Sequence, residues 1–416
     1  VAVGASGAGG GGGGGGASLA GFVATAVGSD GGSGSGSSAH LGGFSGRGPA
    51  TGVLEYPQIR TVYLHSYSGT SVAIVSLDYC CLDHDFITKV RQKLKKQEIE
   101  SIISCTHNHA GICTIHSKDN ILGIVNEEYL ELVCRSIFES IECAKENIQE
   151  VEHITSHRAT LVGNFIMNRT FVDEKGFMHK RLQNHTPTTV FKDFDREIIA
   201  IRISTKNEDF VIVNFSCHVN VLDRSNTLVG RDFVGPMLEV LENNLGDKKT
   251  QAIFLNGAAG DVRPAVWESS LETAAAFGGM LGIQIALAVK KNNGEILERS
   301  ISFQELDAPI AFTDGSKLAV PVSCLRIGNQ QLITVPGELY SSLSLRIKEA
   351  AGEIKPVIVG YANGTLGYLP DKKCVEKNHP EDVAIRSRTV QQYFDGPLPL
   401  SDLGERIAET AISLLK

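Results

Sequence analysis

Three polar clusters stand directly after apolar, strand-like runs, and their residue types are those of metal and proton chemistry. The first is Thr106-His107-Asn108-His109-Ala110-Gly111, which follows Ile102 to Cys105. Histidines at i and i+2 on a continuing strand point to the same side, so they can share one metal ion or divide ligand and proton-handling roles. The second is Phe215-Ser216-Cys217-His218, where a further imidazole at a strand end could complete a zinc site, because zinc accepts neutral nitrogens with a carboxylate. Asp232, in Gly230-Arg231-Asp232-Phe233, is either a helix-capping carboxylate or an outer partner that orients His218. The third is Asn256-Gly257-Ala258-Ala259-Gly260-Asp261-Val262-Arg263-Pro264, whose glycines permit a tight turn with backbone N–H groups aimed into a pocket for an oxyanion or an anion. Each cluster alone has a plain structural alternative: exposed loop histidines, a hydrogen-bonded core histidine, an ordinary glycine turn.

Such clusters need a scaffold that brings strand ends together. Val72 to Leu77, Ile99 to Ser104, Ala252 to Leu255, Leu332 to Val335 and Pro356 to Val359 read as buried strands. Ile198 to Ile203 and Phe210 to Phe215 read as a hairpin joined through Lys206, Asn207 and Glu208. Helical patterns cover Asp85 to Gln97, Glu127 to Ile148, Leu271 to Lys290, Leu339 to Ala351 and Ser401 to Leu415. The alternation predicts an α/β fold with a mixed, largely buried central sheet flanked by helices. The clusters then lie outside strand ends, where such a sheet binds its ligands.

Composition narrows the function classes. Of 416 residues, 39 are Lys or Arg and 47 are Asp or Glu, and no basic cluster offers a phosphate backbone its counter-charge, so nucleic acid is excluded as the expected partner. A small-molecule substrate is expected instead, with the oligomeric state left open. No apolar run reaches the roughly 18 residues needed to cross a bilayer, so no transmembrane segment is expected. Nine cysteines without a CxxC spacing read as reduced thiols, which favours a cytoplasmic setting. Residues 1 to 48 hold 20 of the 44 glycines and read as a low-complexity leader without a core. The leader is either disordered or a stretch where Gly, Ala and Ser stand for unassigned side chains, and residues 49 to 416 form the α/β catalytic domain.

The order of the runs resembles the neutral, non-lysosomal ceramidase family, whose pattern is Thr-His-Thr-His-Ser-Gly, Asn-Arg, a Cys-His strand end, an Asn-Gly-Asp turn, Pro-Gly-Glu and a late Gly-Tyr. This chain supplies His107 and His109, Asn168 with Arg169, Cys217 with His218, Gly260 with Asp261, Pro336-Gly337-Glu338, and Asn363 followed by Gly367-Tyr368. The resemblance implies a zinc ion held by His107, His218, Glu338 and Tyr368. It also implies catalytic roles for His109, Arg169 and Tyr368 beside the metal, polarising a scissile carbonyl and stabilising an oxyanion. Zinc lowers the pKa of bound water toward about 7, so no Ser/His/Asp triad is required.

Departures from the family bear on the substrate. Arg263 stands where the ceramidases carry a serine, Ala265 replaces their asparagine, and Asn108 and Ala110 alter the first motif. A guanidinium suits a carboxylate or phosphate better than a neutral ceramide head group. The expected function is therefore hydrolysis of an amide bond in a small polar substrate, an anionic one being favoured by Arg263, with Asn256, Gly260 and Asp261 also lining its site. The alternatives are a ceramidase acting on N-acyl sphingosine, which in that family is secreted, and a binding homologue without catalysis.

Overall fold

The computed structural model describes residues 1–7, 39–169, 193–246, 248–266, 268–291, 294–376 and 397–416, with the backbone of three short strands between 171 and 191. A nine-stranded mixed sheet organises the chain. Its order runs Lys249–Asn256, Glu208–Phe215, Glu197–Thr205, Gln149–Thr160, Ala2–Gly7, Ile59–His65, Ser71–Leu77 and Glu100–Cys105, with Glu295–Leu297 paired onto Gln149–Thr160. The two edge pairs are parallel and the interior pairs antiparallel. The expected α/β class with a mixed, largely buried central sheet and flanking helices is the one observed. A second sheet of four strands, Ile301–Ala311, Lys317–Ile327, Gln330–Thr334 and Val357–Val359, carries the C-terminal part of the site.

The helices follow local sequence signals. Helix Glu127–Glu146 starts at Asn126, whose side chain accepts from Tyr129 N, and carries two glutamates in its first turn and Lys145 in its last, which suits the helix dipole. Its Leu130, Val133, Ile137, Ile141 and Ala144, three or four residues apart, form the buried stripe together with Tyr129. Helix Leu271–Lys291 is long and apolar enough to cross a membrane by composition. Its inner face of Phe277, Gly278, Leu281, Gly282 and Ile285 belongs instead to a core shared with helix Val234–Asn244.

The reading of residues 1 to 48 as a leader outside the core is corrected where the segment is described. Ala2–Gly7 is an interior strand, paired with Ile59–His65 on one side and touching Gln149–Thr160 on the other. Its small residues are what close packing requires, for a Cβ on Gly4 would lie 1.9 Å from the carbonyl oxygen of Ala144. Ala39 and Leu41 are likewise buried. Low side-chain information hides such a strand, because ladder hydrogen bonds come from the backbone. Residues 8–38 lie outside the described part.

The sheet also curls until its two edges meet. Asn256 Nδ2 donates to Thr106 O at 3.0 Å and Ser76 Oγ to Phe254 O at 2.6 Å, so the strand ends of opposite edges are neighbours. Between them lies the segment after Val357–Val359: Gly360 N donates to Asn256 O at 2.8 Å, while Cys105 N donates to Tyr361 O at 3.1 Å. Three strand ends thus converge on one place.

Candidate metal centre

His107 leaves the strand Glu100–Cys105 through a left-handed backbone, φ 65°, so the strand does not continue to His109. The two imidazoles converge because the loop is knotted by Asn108, whose amide donates to Asp78 O and Gly230 O at 3.1 and 2.7 Å and accepts from Ala110 N at 2.9 Å. His109 Nε2 then lies 3.2 Å from His107 Nε2. The expectation of convergence holds, and the strand alternation offered for it does not.

His218 follows Glu208–Phe215, one strand in from the opposite edge, and Glu338 opens the short strand Glu338–Leu339, paired in parallel register with Tyr368–Leu369. Glu338 Oε2 faces His107 Nε2 at 3.4 Å and His218 Nε2 at 3.3 Å, with all three side chains about 1% exposed. Backbone carbonyls hold the other ring nitrogens. His107 Nδ1 donates to Cys80 O at 3.0 Å, and His218 Nδ1 to Ala259 O at 2.5 Å and Val262 O at 3.2 Å. These bonds anchor each ring at Nδ1 and turn its Nε2 toward the carboxylate.

Two imidazoles and a carboxylate facing one another at this spacing could hold a cation between them. Bonds of about 2.0–2.2 Å in a tetrahedron place ligand atoms about 3.3–3.6 Å apart, and the observed 3.3 and 3.4 Å match that edge. The donor set therefore fits a divalent ion of the zinc type. The three histidines and the carboxylate are electrostatically coupled. Burial opposes a charge on His107, but the Glu338 carboxylate outweighs it and holds its pKa up at about 9. Burial, with Arg169 and His107, pushes His218 down to about 3. Burial, with His107 and His218, keeps His109 neutral.

Arg169 forms the rim of the centre. Its Nη2 donates to Gly260 O at 2.8 Å and meets His218 Nε2 and the Tyr368 hydroxyl at 3.1 Å each. Tyr368 thus reaches the centre through Arg169, with its ring parallel to His218 at 6.5 Å. Burial raises the Tyr368 phenol above its ordinary range.

Several residues expected at the substrate surface instead build the frame. Asn256 is fully buried: its Oδ1 accepts from Cys217 N at 3.2 Å and its Nδ2 donates to Thr106 O and Cys217 O. Asp261, 1% exposed, accepts from Asn168 Nδ2 at 2.9 Å and from the N–H and hydroxyl of Ser341 at 2.8 Å. Gly260 N is used by Leu339 O at 2.9 Å, Gly257 N by Phe215 O and Ala259 N by Gly257 O, so the turn offers these N–H groups to no oxyanion. The glycine at 260 answers a different need, since a Cβ there would lie 2.2 Å from Glu338 O. Asp232 does not orient His218. Nor does it cap helix Val234–Asn244, whose N-cap is Phe233 without a side-chain cap bond: its carboxylate accepts from Leu222 N at 2.8 Å and Phe233 N at 2.7 Å, tying the loop at Leu222 to the segment before the helix. Arg263 lies half-buried on Val262–Pro264, with Nε on Pro264 O at 3.1 Å and the charge of Arg169 nearby.

Three residues at the centre escaped the sequence reading. Tyr361 stacks on His107, Cys80 Sγ lies 3.6 Å from His107 Nδ1, and Arg47 donates to His109 O at 2.6 Å. The adjacent Cys80 and Cys81 were the single visible signal. Arg47 also walls a cavity of about 530 Å³ with His40, Asp119, Asn120, Ile121 and Ile124, which lies beside the histidine cluster and is not lined by it.

The chain is an α/β protein whose curled mixed sheet gathers a buried His/His/Glu cluster that could hold a metal ion. No family model and no curated relative matches the sequence. Solved structures do match: a ceramidase complexed with C2 superposes with a TM-score of 0.71 at 15% identity, covering 90% of this chain and 72% of that one. The neutral ceramidase of Pseudomonas aeruginosa superposes with a TM-score of 0.67 at 18% identity, over 91% of this chain and 72% of that one. The fold is that of the neutral ceramidases, and the chain is a divergent, ceramidase-like member of that fold, as its ordered motifs implied.

Proposed function

We propose that this chain is a zinc-dependent hydrolase that cleaves the amide bond of a small, anionic N-acyl compound. The observation that carries the proposal is the facing of His107 Nε2, His218 Nε2 and Glu338 Oε2 at tetrahedral-edge spacing, with both Nδ1 atoms already committed to carbonyls. When bound there, zinc supplies Lewis acidity, polarising a carbonyl and making water a nucleophile near neutral pH. His109, kept neutral and held with Nε2 toward the centre, is placed to accept and return a proton. Arg169 offers a fixed cation where the oxyanion would form, and Tyr368 holds it from the other side.

The anionic substrate is supported by charge. Arg169 and Arg263 make no ion pair with any described residue; their bonds go to carbonyls, a phenol and an imidazole. Two partly buried guanidiniums without a carboxylate favour a substrate that brings one.

The test is hydrolysis of N-acetyl amino acids against long-chain ceramide by the zinc-loaded protein, with Arg263→Gln alongside. Faster cleavage of the N-acetyl amino acids, and a KM raised about tenfold in Arg263→Gln for loss of one charge-assisted bond, are expected. Ceramide as the better substrate would overturn the anionic reading while leaving the hydrolase.

A further inference from the structure

Tyr361 carries four properties that a packing residue does not need together. Its backbone is left-handed, φ 53°, which costs a bulky residue free energy. Its ring lies on the His107 imidazole, with centroids 4.0 Å apart and planes at 20°. The residue is 2% exposed, yet its hydroxyl has no hydrogen-bond partner among the described residues, a cost that phenylalanine would avoid. Its main chain ties the pieces of the centre together, because Tyr361 N donates to Gly337 O and Tyr361 O accepts from Cys105 N, both at 3.1 Å. Those neighbours stand one residue before Glu338 and two before His107.

We infer that Tyr361 is a positioning residue of the metal centre, whose stacked ring fixes the plane of His107 so that Nε2 stays aimed at Glu338. This rests on the reading of His107 as a metal ligand. The Nδ1 bond to Cys80 O pins the imidazole at one atom and leaves rotation about that bond; a second ring laid flat on its face removes that freedom. Both partners adopt left-handed backbones, so the two rings meet only because two turns, one from each sheet, bend toward each other. The function lies in the ring, and the uncompensated hydroxyl adds nothing to the stack.

Zinc affinity is measured by competition with a chromophoric chelator for wild type, Tyr361→Phe and Tyr361→Leu, and the visible spectrum of the cobalt-substituted proteins is recorded in parallel. Tyr361→Phe keeps the stack, so it should bind zinc within about twofold of wild type, melt no lower than wild type without metal, and show the wild-type cobalt spectrum. Tyr361→Leu should lose about 10–100-fold in zinc affinity, the range for outer residues that orient a ligand, with an altered cobalt band. If the leucine variant does not fold, Tyr361→Met, unbranched and ringless, takes its place with the same expectation. A ringless variant that binds zinc as tightly as wild type with an unchanged cobalt spectrum overturns the inference. So does a phenylalanine variant as weak as the ringless one. A wild type that takes up no zinc sinks the metal reading itself, and is thereby distinguished from failure of Tyr361 alone.

Discussion

At the scale of single residues, the centre is governed by which polar atoms are already engaged. Asn256 and Asp261 look like substrate contacts because they sit in a glycine-rich turn, but their oxygens and nitrogens are spent on tying strand ends together. His218 shows a different arrangement: its Nδ1 is engaged by backbone carbonyls and its Nε2 faces Glu338, with Arg169 Nη2 beside it at 3.1 Å. His218→Ala should therefore remove one ligand of the buried set. Elemental analysis is expected to fall from about one zinc per chain to a small fraction, as loss of a first ligand weakens a site far more than loss of an outer partner. A variant that retains stoichiometric zinc would show that His218 is not a ligand.

At the scale of elements, turns are pressed against strands with no room to spare. The turn at Gly260 lies against the strand Glu338–Leu339, accepting Arg169 through its carbonyl and reaching Leu339 O through its N–H. Gly260→Ala would drive a methyl into backbone, 2.2 Å from Glu338 O. It is expected to cost about 1–3 kcal/mol in urea unfolding and to lower zinc content, since the displaced strand carries the Glu338 ligand. Asp232, buried before helix Val234–Asn244 and accepting from Leu222 N and Phe233 N, gives the fold a pH dependence. Burial holds its pKa up at about 6, against an ordinary value of 3.8. The folded state then grips the proton more tightly than the unfolded chain, so this contribution is complete below pH 3.8 and is lost as pH rises through 6. The unfolding free energy of the wild type, from urea denaturation, should decline across that window by up to about 3 kcal/mol on this account. Asp232→Asn cannot titrate and should lose that slope; an unchanged slope would place the titration elsewhere.

At the scale of the whole molecule, one sheet serves the site by closing on itself. Its interior strand Ala2–Gly7 joins the two halves that deliver His107 and His218. Val3 is fully buried there. Val3→Asp should destabilise the entire chain by at least about 3 kcal/mol, because an unpaired carboxylate would enter the core. A thermal melt that fell for the sheet and the metal-bound state together would show that the halves unfold as one unit; an unchanged melt would show that this strand is dispensable.

The sequence by itself determined the types and order of the residues that could hold a metal ion and the strands that precede them. Apolar runs such as Phe210–Phe215 are legible because parallel, doubly buried strands are apolar throughout, and His107, His218 and Glu338 each follow or open such an element. Ala2–Gly7 and Gln149–Thr160 were not legible, the first lacking large side chains and the second alternating polar residues among buried ones. Tertiary structure alone decided which ring nitrogen is free, which carboxylates are consumed in the frame, and that Tyr361 covers His107. The physical reason is that these depend on contacts between opposite edges of a curled sheet and a second sheet inserted between them, and no local pattern encodes the meeting of chain segments more than 100 residues apart.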